Sequence, residues 1–131
     1  MGCGEAVSGQ VIAGFGCRRG CPADTLVALL EYACAQVGQA ADALAVPAFK
    51  RDEPGPQEAA RRLGVRLIFV EAAPLMAAQS RCVTHSARAE QATGVASVAE
   101  GSALAAAGPN SRLLLARIAG DGATCALAVT A

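Results

Sequence analysis

The sequence predicts an α/β fold: a single three-layer domain on a mixed, mostly parallel sheet that ends in a C-terminal β-hairpin. Three observations carry this reading. In the first half, short apolar runs alternate with stretches of helical periodicity, the strand–helix–strand order that gives right-handed crossovers and parallel pairing. In the second half, two apolar runs flank Asp121-Gly122, a strong two-residue hairpin signal. The length, 131 residues, fits one compact domain, and a composition 53% hydrophobic but only 3% aromatic, with no Trp, calls for a core of Ala, Val and Leu.

Each element has its own justification. Residues 1–9 are expected to be a flexible N-terminus and residues 10–131 the domain. Residues 10–14 (QVIAG) read as a first buried strand that enters a glycine-rich turn. Over 22–38, Leu26, Leu29, Leu30, Ala33, Cys34 and Val37 follow helical spacing. Pro22 suits the first helical position, Asp24 complements the N-terminal dipole and Gly38 suits the C-terminal cap. A second strand is expected over 43–49, where Pro47 points to an edge or a strand end. The loop 50–56 leads to a short helix over 57–64 closed by Gly64, and then to a third strand over 65–72. Residues 74–82 and 86–93 read as helical, the latter ending at Gly94. Ser97 and Glu100 have capping-box spacing ahead of an Ala/Leu helix that ends at 108. Strands over 111–118 and 124–130 complete the hairpin.

Composition narrows the function classes. Eleven Lys plus Arg balance eleven Asp plus Glu, so the charge does not point to a nucleic-acid partner. Ten of the basic residues are Arg and only Lys50 is Lys, and the planar guanidinium fork suits carboxylates and phosphates. The N-terminus lacks a signal-peptide pattern, Ala6 replaces the hydroxyl residue of a myristoylation signal, and no apolar run is long enough to span a membrane. A cytoplasmic protein with no membrane partner is therefore expected. Its six cysteines are expected to be reduced. With no C-x-x-C pair and His85 the only histidine, no metal site and no cofactor is expected.

The most informative stretch is QVIAGFGCRRGCPADTL, residues 10–26. Strand, glycine turn and helix start are the elements of a phosphate loop. The spacing Gly14-x-Gly16-x-x-x-Gly20 is, however, one residue longer than the dinucleotide fingerprint, and the second strand ends in Lys50-Arg51-Asp52 rather than a clean acidic residue. A thiol reading rests on Cys17 and Cys21, whose pKa neighbouring arginines and a helix N-terminus would lower. Their three-residue gap matches no thioredoxin-like motif. A carboxylate-pocket reading needs Arg forks and free N–H groups at one helix start, which Arg18, Arg19 and the 16–22 turn supply. Solvated surface arginines are the plain alternative.

In a parallel sheet, the loops after neighbouring strands share one crevice. The loop FKRDEPG should therefore bring Lys50, Arg51, Asp52 and Glu53 near Arg18 and Arg19, even if Asp52 or Glu53 also helps to cap a helix that Pro56 begins. The Ser97/Glu100 pair is explained by its capping-box spacing. His85 has no acid at triad-like spacing, and no Ser-His-Asp set emerges.

Taken in order, GFGCRRGCP, FKRDEPG, TGVASVAEGSALAAAG and ATCALAV resemble the CobE family of cobalamin biosynthesis, whose domain also forms the C-terminal part of CbiG, the cobalt-precorrin-5A hydrolase. The resemblance spans roughly residues 10 to 130. It implies a cytoplasmic protein that binds a corrin-ring precursor of the precorrin or hydrogenobyrinic acid type, and assists or delivers it among other enzymes of the pathway. Arg18 and Arg19 would anchor ring carboxylates, Gly14, Gly16 and Gly20 would allow close backbone approach, and Lys50 would be a secondary contact. Asp52, Glu53, Ser97 and Glu100 are family-motif positions with capping roles. An alternative implied by the same resemblance is hydrolysis of the ring lactone with release of acetaldehyde, a reaction of a hydrolase that carries further N-terminal regions. A small dinucleotide-binding module is the remaining alternative.

Overall fold

The computed structural model describes residues 9–85 and 97–131. Residues 1–8 and the helix expected over 86–93, with Gly94, lie outside the described residues. In chain order the elements are β1 (Val11–Cys17), α1 (Ala23–Val37), β2 (Ala43–Pro47), α2 (Pro54–Leu63), β3 (Arg66–Val70), α3 (Ala72–Ala78), α4 (Val98–Ala107), β4 (Arg112–Gly120) and β5 (Ala123–Val129). Single 3-10 turns follow β2 at Ala48–Lys50 and α3 at Gln79–Arg81.

The five strands lie in the order β3-β2-β1-β5-β4. β1, β2 and β3 pair in parallel, and β5 pairs antiparallel with both β1 and β4. Alternation along β1 divides the core between two faces. Val11, Ala13 and Phe15 pack with Leu26, Leu30 and Ala33 of α1 and Ala59 of α2. Ile12 turns to the opposite face, where Leu75 of α3 and the apolar residues of α4 cover Ala43, Ala45 and Val70. This is the three-layer arrangement. Each fully buried Phe15, Leu26, Leu44 or Leu127 contributes about 1.5–3 kcal/mol.

The helix ends follow local chemistry. Gly38 and Gly64 close α1 and α2 in the left-handed conformation, and their N–H groups return to Cys34 and to Ala60 and Arg61. The helix starts differ by a few residues. Pro22 is the residue before α1 rather than its first, and Pro54, not Pro56, opens α2. Pro47 ends β2 inside the sheet, opposite Val70 of β3.

The largest departure concerns β1. The expected glycine turn begins later, because the strand runs on through Gly14 and Gly16 to Cys17. The reason is long-range: β5 pairs with every residue of β1, from Val11↔Val129 to Cys17↔Ala123. Gly14 and Gly16 therefore lie in a central strand. The phosphate-loop geometry that the Gly14-x-Gly16 spacing already argued against is absent, and the turn proper starts at Arg18.

Candidate functional site

The parallel strands direct the loops after β1 and β2 to one edge of the sheet. Since β5 runs the other way, the Asp121-Gly122 turn arrives at that same edge, and the Arg18 N–H donates to the Gly122 carbonyl at 3.3 Å. The start of α4 reaches it too, with Val98 facing Gly16. The edge is an open rim. Two grooves lie elsewhere. One, of about 230 Å³, runs between α1 and α2 beside Leu30, Cys34, Leu63 and Val65. The other, of about 340 Å³, lies between α3 and the end of α4 beside Pro74, Arg81 and Pro109. The Arg81 guanidinium is already committed there, donating to the Ser111 carbonyl at 2.8 Å and to the Gly108 carbonyl at 3.3 Å.

Two contacts lock the loops after β1 and β2 together. The Glu53 carboxylate accepts the Gly20 N–H at 2.7 Å. Gly55 lies so close to the Cys21 carbonyl that a side chain there would overlap it. Glu53 occupies the cap position of α2 but makes no capping bond to that helix. Pro56, at the third helical position, has no N–H to offer a cap, and the Glu side chain is long enough to reach the neighbouring loop. Asp52 is exposed and does not cap α2 either. The sequence reading placed Asp52 and Glu53 at the right edge with the wrong task.

Arg18, Arg19 and Gly20 are exposed on this rim, and Lys50 is half-buried near Cys17 and Cys21. Among the described residues, Arg18, Arg19 and Lys50 form no ion pair. Arg51 meets Glu71 at 3.5 Å, Arg61 and Arg62 meet Glu58, and Arg62 also meets Asp24, whereas Arg66, Arg81, Arg112 and Arg117 form no ion pair among the described residues either. The exposed Asp52 and Asp121 share the rim without pairing with these cations. The side chain of Arg18 lies across the hairpin turn, with a space above Gly122 that a Cβ would fill at 3.0 Å from its Nε. Gly20 takes a φ of 77° at the open tip of its turn.

The thiols are not activated. Burial raises the Cys17 pKa against the opposing charge of Lys50, and burial likewise raises Cys21 against Arg18. The expectation that arginines and a helix start would lower them fails because desolvation of the thiolate outweighs the nearby charge. Among the described residues, no group of three or more His, Cys, Asp or Glu side chains could hold a metal ion, and His85 is exposed.

Gly14 and Gly16 serve packing. A Cβ on Gly14 would overlap the Ala99 carbonyl of α4, and one on Gly16 would crowd Thr124 and Val98. The close backbone approach expected of Gly14 is thus to a helix of this chain. The Ser97/Glu100 pair also differs from a capping box. Ser97 precedes α4 without a side-chain cap bond, and its N–H donates to the Gln79 side chain at 3.0 Å. Glu100, fully buried, accepts the N–H groups of Val83 at 2.8 Å, Thr84 at 2.9 Å and Arg117 at 2.9 Å, and the Ser97 hydroxyl at 3.3 Å. Arg117 lies within the register shift between Leu115 and Ile118 of β4, where it has no paired residue on β5, and its N–H is free for this bond. Burial pushes the Glu100 carboxyl up, yet the N–H groups of Arg117, Thr84 and Val83 together hold it below the usual carboxylate range. Glu100 thus ties residues 83–84 and β4 to the start of α4.

The sequence reading gave no part in the site to Gly55, Gly122 or Gln79, all of which fix the rim. Asp121-Gly122 was legible as a turn, but nothing local places that turn beside Arg18. Gln79 bridges eighteen positions to Ser97, a pairing without a local signature.

Comparison with known proteins follows the same boundaries. The family model described as cobalamin synthesis G C-terminus matches residues 11–128. The chain is 38% identical over 127 residues to Protein CobE of a Sinorhizobium species, covering 95% of this chain and 82% of that protein. The crystal structure of CobE, a protein from the cobalamin (vitamin B12) biosynthetic pathway, superposes with a TM-score of 0.88 at 41% identity, covering 95% of this chain and 93% of the other. Cobalamin biosynthesis protein ChiG from Agrobacterium tumefaciens str. C58 superposes with a TM-score of 0.73 at 32% identity, covering 92% and 98%.

Proposed function

The chain belongs to the cobalamin synthesis G C-terminus family, which makes it a cobalamin biosynthesis protein, and from that premise we propose that its strand-end rim binds a carboxylate-bearing corrin-ring precursor and assists or delivers it within the pathway. The observation that carries this reading is the set of rim cations without acidic partners, Arg18, Arg19 and Lys50, on loops held by the Glu53–Gly20 bond. Corrin precursors carry acetate and propionate groups around an apolar ring. Guanidinium forks recognise such groups by two parallel N–H bonds, and an ammonium adds a point charge. Because the loops are braced before any ligand arrives, little ordering entropy opposes binding.

Exposed charge pairs are weak, about 0–1 kcal/mol each, so affinity requires several at once. Removing two anchors should cost on the order of tenfold in affinity, since 1.4 kcal/mol corresponds to a factor of ten. The test is an absorbance titration with hydrogenobyrinic acid of the intact chain and of the Arg18→Ala/Arg19→Ala variant. Weaker binding by the variant at low salt, with a gap that narrows as salt is added, supports the anchors. Equal affinity in the two proteins removes them.

A further inference from the structure

The rim also holds an aromatic side chain out in solvent. The chain has three Phe, one Tyr and no Trp. Phe15 is fully buried, and Phe69 is half-buried beneath the Arg51 guanidinium at 5.0 Å. Phe49, between β2 and α2, is 56% exposed. A single exposed apolar residue is ordinary on a protein surface, but Phe49 sits on a braced turn rather than a loose loop. Its 3-10 turn follows the buried strand β2. The Arg51 N–H donates to Ala48 and the Glu53 N–H to Lys50, each at 3.0 Å, and Gln57 donates to the Arg51 carbonyl at 2.7 Å. The Glu53–Gly20 bond then ties this turn to the loop of Arg18 and Arg19. The backbone therefore keeps Phe49 at a defined place, next in sequence to Lys50.

We propose that Phe49 is the apolar platform against which a face of the ring packs, while Lys50, Arg18 and Arg19 take the carboxylates at its edge. This rests on the reading that the rim binds a corrin precursor, and it adds the residue that would distinguish a macrocycle from any other polycarboxylate. The chemistry demands such a partner. A carboxylate-fringed ring is charged at its edge and apolar on its faces, and exposed ion pairs alone are weak and screened by salt. A rigid aromatic side chain supplies contact area at small entropic cost, and its contribution does not depend on ionic strength.

The experiment titrates hydrogenobyrinic acid into the intact chain and into Phe49→Ala, Phe49→Trp and Arg18→Ala/Arg19→Ala variants, at low and high salt. Phe49→Ala is expected to bind about tenfold more weakly, by the same factor at both salt concentrations, which is the loss of one well-packed aromatic contact. The arginine variant should instead lose affinity chiefly at low salt. Phe49→Trp should bind like the original chain, and as the only Trp present its emission should be quenched as the ring docks. Phe49→Ala binding like the original chain, while the arginine variant binds weakly, overturns the platform and leaves the anchors standing. No binding by the original chain overturns both. If Phe49→Ala melts early, Phe49→Trp decides: a tightly binding variant with unquenched emission overturns the platform.

Discussion

The Glu53 carboxylate accepts a hydrogen bond from the Gly20 N–H at 2.7 Å and so joins the loop after β1 to the loop after β2. The bond spans 33 positions in sequence. Glu53→Ala should therefore do two things at once. Stability in urea should fall by about 1 kcal/mol, the usual worth of one such bond. Amide exchange at Gly20 should accelerate while exchange in the core of β1 stays slow. An unchanged Gly20 exchange rate would count against the loop brace.

Glu100 offers a pH-dependent test. Glu100→Gln keeps the shape but replaces one acceptor oxygen with an N–H donor among the N–H groups of Val83, Thr84 and Arg117. The expected loss near neutral pH is about 2–3 kcal/mol, from charge-assisted bonds lost in a buried site. The folded-state pKa lies below the ordinary value of 4.5. The contribution of the carboxylate is therefore complete above the unfolded-state value and disappears as pH falls through the folded-state value. Denaturation curves of the two proteins should converge as the solution is acidified below 4.5. A gap that stays constant with pH would refute the role of the charge.

Gly14→Ala should destabilise the domain by about 2–3 kcal/mol, because the added methyl forces α4 away from β1. Equilibrium unfolding reads this directly. Gly20→Ala has open space around its Cβ, so its cost, about 1 kcal/mol, comes only from the left-handed backbone. Equal losses at the two glycines would mean that β1 and α4 are not in close contact.

The thiols should rank by burial. Cys125, fully buried, has its pKa pushed up to about 12. Alkylation at about pH 8, followed by mass spectrometry, should leave Cys125 unlabelled in the native protein and label it after unfolding. Cys17 and Cys21 should both react more slowly than a free thiol. A hyper-reactive Cys17 or Cys21 would reopen a thiol function for the loop.

Much of the fold was legible because its signals are local. The apolar spacing of Leu26, Leu29, Leu30 and Ala33, the caps at Gly38 and Gly64 and the Asp121-Gly122 turn each act within a few residues. The motifs at 14–22, 49–55, 93–108 and 123–129 carried the family resemblance for the same reason. The candidate site was legible in its cations and in the edge they share, since parallel strands send their loops the same way.

What only the tertiary structure decided is the work of the residues between those signals. Glu100 has the spacing of a capping box, but its partners lie 17 positions away on one side in β4 and 16 and 17 away on the other at Thr84 and Val83. Gly14 read as the last residue of a strand entering a turn until β5, more than a hundred residues later, paired along it and α4 closed over it. Glu53 read as a cap until Gly20 came within reach. The sequence by itself determined the order of most of the described elements and the family, because helix periodicity, turn chemistry and motif order are short-range properties. The tertiary structure decided which donor each buried acceptor meets and which glycine a helix crosses, because those depend on distances that the chain sets only once the sheet has closed.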